Sequence, residues 1–161
     1  MEPLPLAPYM KRLLLALAVP FVMSCSKSSE DVVSPNAFTD GLVAIVDNVE
    51  GAGWPRDGLT IESATISGDT LRLSVRHGGG CARHRFALLI NSAFMESFPV
   101  QVHARIAHDA GGDMCDALIT RTLSFDLTRL QQRYKSAYGP GSATIVIHLV
   151  GHGQSVRYHF E

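Results

Sequence analysis

From residue 71 onward, apolar and polar residues alternate almost one for one, and this two-residue period restricts most of the chain to strands that bury a single face. Leu71, Leu73 and Val75 alternate with Arg72, Ser74 and Arg76. Phe86, Leu88 and Ile90 share one parity against Arg85, Ala87 and Leu89. Val100, Val102, Ala104 and Ile106 do so against Gln101, His103 and Arg105. Leu123, Phe125 and Leu127 follow, then Ala143, Ile145, Ile147 and Leu149, then Val156, Tyr158 and Phe160. Successive strand side chains point to opposite faces, so each run sets one face on a core and the other in water. Residues 42–47 and 59–66 read as strands with less regular patterns.

Turn chemistry agrees with this pattern. Ser67-Gly68-Asp69 predicts a short hairpin turn. Gly78-Gly79-Gly80 and Gly151-His152-Gly153 separate later strands. About eight strands of this kind predict two packed antiparallel sheets, an all-β immunoglobulin-like sandwich, with a closed barrel as the alternative. One segment departs from the rhythm. Leu127, Leu130 and Tyr134 recur at helical spacing, which predicts a short amphipathic helix with Asp126 as N-cap and Gly139-Pro140-Gly141 as its stop.

The N-terminus carries an address. Lys11 and Arg12 precede the apolar run Leu13–Met23, which has the length of a signal-peptide core and falls short of a comfortable bilayer span. Val22-Met23-Ser24-Cys25 resembles the lipobox of bacterial lipoproteins, with Met23 as the largest departure. The resemblance implies a diacylglyceryl thioether on Cys25, cleavage before it and acylation of the new amine. Met10-Lys11-Arg12 is the more ordinary start for such a leader. A buried N-terminal helix is the alternative, and Pro20 and the abrupt change to Ser26-Lys27-Ser28-Ser29 argue against it. The expected organisation is a leader at 1–24, the lipidated Cys25 with a flexible tether at 25–40, and a sandwich at 41–161. Ser26 after the lipidated cysteine favours the outer membrane over the inner one. The expected location is the bacterial cell envelope, with the membrane as a partner through the anchor and an envelope protein as a second candidate partner.

Composition matters here for what it excludes. Removing Glu2, Lys11 and Arg12 from 14 basic and 15 acidic residues leaves 12 and 14, a formal net charge of −2. No basic run or face stands out, so nucleic acid is not an expected partner. With Cys25 committed to lipid, Cys81 and Cys115 remain, and an even pair in an oxidising compartment reads as a disulfide. Two thiols acting as metal ligands are the alternative.

Parity supplies one pointed clue to chemistry. His77 falls on the buried parity of Leu71, Leu73 and Val75. His84 falls on that of Phe86, Leu88 and Ile90, and His108 on that of Val100 to Ile106. Strands running up and down in order would bring all three to one pole. Two readings stay open. In one, half-buried imidazoles cap the core and need no cofactor. In the other, His77, His84 and His108, with a carboxylate such as Asp109 or a water, hold zinc or copper. Asp109-Ala110-Gly111-Gly112-Asp113 reads as a turn, since it lacks the further oxygen ligands of a calcium loop. Cys81 beside a histidine is a remote candidate nucleophile, and no catalytic residue is assigned. His103 and His159 fall on the outer parity. Trp54, between Gly53 and Pro55, reads as a lid over the sandwich edge.

Gly79-Gly80-Cys81-Ala82-Arg83-His84, followed by His108-Asp109 and Cys115, is similar to a pattern in uncharacterised bacterial lipoproteins that carry a small β-sandwich after the tether. The resemblance implies the same address and fold and brings no activity with it. The expected function is a non-catalytic binding or structural component of the envelope, with a metal-binding protein or metalloenzyme as the alternative.

Overall fold

A computed structural model describes residues 33–161 apart from Ala52. The expected leader, the lipobox and Cys25 lie outside the described residues. The strands are β1 (Val43–Val46), β2 (Thr60–Ser67), β3 (Thr70–Gly79), β4 (Arg85–Asn91), β5 (Val100–Asp109), β6 (Ala117–Asp126), β7 (Ala143–Leu149) and β8 (Ser155–Phe160). A helix, α1 (Thr128–Tyr138), links β6 to β7. The five-stranded sheet has the order β1-β4-β5-β7-β8, and the three-stranded sheet has the order β2-β3-β6. Their apolar faces meet in a sandwich, as the alternation predicts. Among the described residues no helix is long and apolar enough to cross a membrane.

The wholly antiparallel expectation needs correction. β1 pairs parallel with β4, and β5 with β7. The path of the chain explains both. After β5 the chain crosses to the small sheet, returns along β6, and passes through α1 before entering β7, so β7 sets out from the end where β5 began. After β1 a long loop carries the chain back along the sheet before β2 begins. Single-strand periodicity is blind to strand direction, because both pairings bury alternate residues alike.

The main core lies between the sheets. Leu71, Leu73, Val75, Phe86, Leu88, Ile90, Val102, Ile145, Ile147 and Tyr158 are all fully buried there. Each side chain of this kind contributes about 1.5–3 kcal/mol relative to exposure. A second apolar cluster lies on the other side of the large sheet. It joins Ala44, Val46, Val49, Trp54, Ala87, Leu89 and Ala107, with Val33, Phe38 and Leu42 against it. Ala87 and Leu89 are therefore buried rather than turned to water, and β4 is covered on both faces. Trp54 covers this outer face, edge-on to Phe38 with ring centroids 6.4 Å apart.

This covering also corrects the extent of the tether. Residues expected to be flexible up to 40 include a segment seated on the sandwich. Val33 donates its N–H to the Ile45 carbonyl at 3.0 Å. Pro35–Ala37 form a short 3-10 turn, and an Asp40 carboxylate oxygen accepts the Phe86 N–H at 2.9 Å. At the helix, Leu127 occupies the cap position, and Asp126 accepts the Thr128 N–H at 2.8 Å from one residue earlier.

Candidate functional site

β3 and β5 run toward one pole of the sandwich, and β4 starts from it. The inward parity of each strand continues to its end, so His77, His84 and His108 close the core at that pole. They are 5%, 4% and 1% exposed. Their ring centroids lie 4.5–5.2 Å apart. Phe86 stacks beneath His108 at 4.6 Å, with an interplanar angle of 4°. One ring nitrogen from each histidine lies within 4.8 Å of the others.

Each imidazole is held by one oxygen. His77 Nδ1 lies 2.8 Å from the Gly78 carbonyl. His108 Nδ1 lies 3.1 Å from the Asp57 carbonyl. His84 Nε2 lies 3.2 Å from Asp113 Oδ2. A carbonyl or carboxylate only accepts, so the ring nitrogen facing it carries the hydrogen. Three nitrogens remain on the inner side. His77 Nε2 is buried and has no hydrogen-bond partner among the described residues. His84 Nδ1 and His108 Nε2 face each other at 2.8 Å. In neutral rings already donating outward, both would present lone pairs, so that contact requires a positively polarised atom between them. An unpartnered buried polar atom such as His77 Nε2 costs about 1–3 kcal/mol.

Asp113 anchors the pole. Its Oδ2 accepts the backbone N–H groups of Gly80, Cys81 and Ala82 at 2.7, 2.8 and 2.8 Å, and its Oδ1 accepts that of Cys115 at 2.9 Å. The Ala82 and Cys115 N–H groups, then Cys81 and the His84 ring, hold its carboxyl well below the usual carboxylate range. Burial lowers the His108 value, reinforced by the imidazoles of His77 and His84 and opposed by the hydrogen bond to Asp57.

Cys81 and Cys115 form a disulfide with Cα atoms 5.9 Å apart. It ties the loop after β3 to the loop before β6 and leaves neither sulfur free as nucleophile or metal ligand. Gly79 permits the close packing here. Its φ is +125°, and a Cβ on it would lie 2.5 Å from His84 Nε2 and 2.8 Å from Asp113 Oδ2.

The structure brings His77, His84 and His108 together but leaves Asp109 out. The Asp109 carboxylate pairs with Arg85 and accepts the Gly111 N–H at 2.9 Å. Those two contacts, the Gly111 N–H first, hold its carboxyl low. Asp109 follows His108 on one strand, so it points to the opposite face. Asp113 takes the place expected of it, beside the imidazoles rather than at their inner nitrogens. Asp57 was also missed. Its carbonyl orients His108, its N–H binds the His108 carbonyl at 3.0 Å, and its carboxylate accepts the Ala110 N–H at 2.6 Å. The available signal for Asp113 was its position two residues before Cys115, where an Asp side chain folds back on the backbone. His103 and His159 are exposed on the outer face, as their parity predicts.

No protein-family model matches the chain, and no curated protein matches it. Solved structures with a similar course of the chain include a NigD-like immunity protein from Bacteroides caccae, at 19% identity and TM-score 0.47 over 75% of this chain and 58% of that one. Another is a candidate lipoprotein from Bacteroides fragilis, at 11% identity and TM-score 0.46 over 76% of this chain and 69% of that one. A third is a DUF1344 protein of unknown function from Bacteroides vulgatus, at 13% identity and TM-score 0.43. That match covers 75% of this chain and only 55% of the third protein. At these values the likeness carries no functional inference.

Proposed function

We propose that this protein is an exported, lipid-anchored component of the bacterial envelope whose β-sandwich binds or supports a partner rather than catalysing a reaction. The observation that carries the reading is the Cys81–Cys115 bridge in a chain that begins with a lipobox-like leader. A bridge of this kind persists in oxidising compartments and is rare in the cytosol. Export through the leader would deliver the domain to such a compartment, and Cys25 would hold it at the membrane. The non-catalytic part of the reading is supported by the burial of the three imidazoles and by the pairing of Cys81 and Cys115, which leaves no free thiol beside them among the described residues.

The test is metabolic labelling with an alkyne fatty acid in a bacterial host, followed by fractionation. Wild-type protein is expected in the membrane fraction, labelled and shortened at its N-terminus. Cys25→Ser is expected to lose the label and the processing. An unlabelled wild-type chain whose Cys81 and Cys115 both react with a thiol reagent in the cytosolic fraction would overturn the proposal.

A further inference from the structure

We infer that His77, His84 and His108 form a binding site for one borderline transition-metal ion of the zinc or copper class, seated where the two sheets meet at the pole. The inference goes beyond the envelope reading and does not depend on the lipid anchor. Its core is the pattern of ring nitrogens. Each of the three imidazoles gives one nitrogen to an oxygen, of Gly78, Asp57 or Asp113. Each keeps its other nitrogen free of any oxygen acceptor. Metal-ligating histidines are held in this way, because the outer hydrogen bond fixes the tautomer and aims the free lone pair. The buried His77 Nε2, which lacks any partner among the described residues, points independently to a ligand. The facing pair, His84 Nδ1 and His108 Nε2, needs a cation or a hydrogen between its members.

The ligand set selects the ion. Three neutral nitrogens suit zinc, copper or nickel, whereas calcium and magnesium take oxygen. The carboxylate of Asp113 stands behind His84 and partly offsets the ion's charge without ligating it. Tetrahedral zinc at about 2.0–2.1 Å from each nitrogen sets ligands about 3.3 Å apart. His84 and His108 would therefore separate by about half an ångström when the ion replaces the hydrogen between them. His77 is also among the residues lining a surface cleft with Leu59, Arg76 and Leu118. Three protein ligands leave a fourth coordination position for water or a small anion.

The test uses the exported, disulfide-bonded protein without a histidine tag, stripped with chelator and titrated with zinc chloride alone. Calorimetry and metal analysis are expected to give one zinc per chain. His77→Phe keeps a ring of similar size where no hydrogen bond to Nε2 is lost, and its melting temperature without metal checks its fold. It is expected to lose stoichiometric binding, and Asp113→Asn to bind about 10–100-fold more weakly. X-ray absorption of the wild-type zinc form supplies a readout that needs no variant, with scattering expected from three imidazoles. No stoichiometric zinc, zinc retained unchanged by a folded His77→Phe, or a coordination shell of oxygens alone would each overturn the site.

Discussion

Replacing both Cys81 and Cys115 with serine should destabilise the domain by an amount that its topology lets us calculate. The bridge spans 34 residues of sequence, and that loop contains the whole of β4 and β5. In the chain-entropy treatment, closing a loop of that length removes about 12.6 cal/mol/K from the unfolded chain, or about 3.8 kcal/mol at 25 °C. Unfolding entropy of about 2.1 cal/mol/K per residue, over the roughly 129 residues from Val33 onward, converts this to a fall in Tm of about 14 °C. Cys81 is exposed and Cys115 only half buried, so serine adds no buried hydroxyl cost of note. Urea titration of the two proteins, followed by tryptophan fluorescence of Trp54, provides the measurement. The denaturant slope should rise in the variant, because an uncrosslinked unfolded chain exposes more surface. A loss below about 1 kcal/mol with an unchanged slope would refute the reasoning. It would mean that the unfolded chain already holds these loops together, or that the bridge is not formed.

Two further predictions concern the same pole. Gly79→Ala should cost about 2–4 kcal/mol, from a positive φ and a methyl driven against His84 and Asp113. Gly78→Ala has open space around it and an ordinary φ, so its loss by chemical denaturation should be far smaller; equal losses would sink the argument. Stability should also fall at both ends of the pH scale for separable reasons. The folded Asp113 carboxyl titrates below its unfolded value of about 3.9, so its contribution is complete above that value and is lost as pH falls further. Burial, then the hydrogen bond to Asp69, raises the Tyr158 value. Its contribution is therefore complete below about pH 10 and is lost as pH rises beyond it. Melting profiles should show a flattened acid limb in Asp113→Asn and a flattened alkaline limb in Tyr158→Phe. Parallel profiles in all three proteins would contradict the assignments.

How far the sequence foretells the site depends on which interactions obey a period. The inward parities of six of the eight strands were legible because alternation is a local property of each strand, while β1, buried at every position, and β2 show no regular alternation. The same rule put His77, His84 and His108 inward, and three inward histidines at strand ends on one pole are close to a statement of contact. The rule was not carried far enough for Asp109. A residue next to an inward His108 on one strand must face outward, so the period that selected the histidine already excluded its neighbour. Asp113 obeys no period, because it acts from a loop through four backbone N–H groups that converge from the two loops joined by the Cys81–Cys115 bridge. Asp57 is harder still. It reaches His108 because β1 runs parallel to β4, which forces the intervening chain to climb back over the outer face of the sheet, burying Val49 and Trp54 on the way. Strand direction leaves no trace in alternation, so neither that path nor the carbonyl it delivers to His108 could be read from residue types. The three ligand candidates are thus a product of local pattern, while the oxygens that aim them are a product of topology. That division leaves the inner nitrogens as the sharper test. A core that merely tolerates three imidazoles would need an outward acceptor for each ring too, but it would have no need of an inner nitrogen such as His77 Nε2, buried with no partner among the described residues.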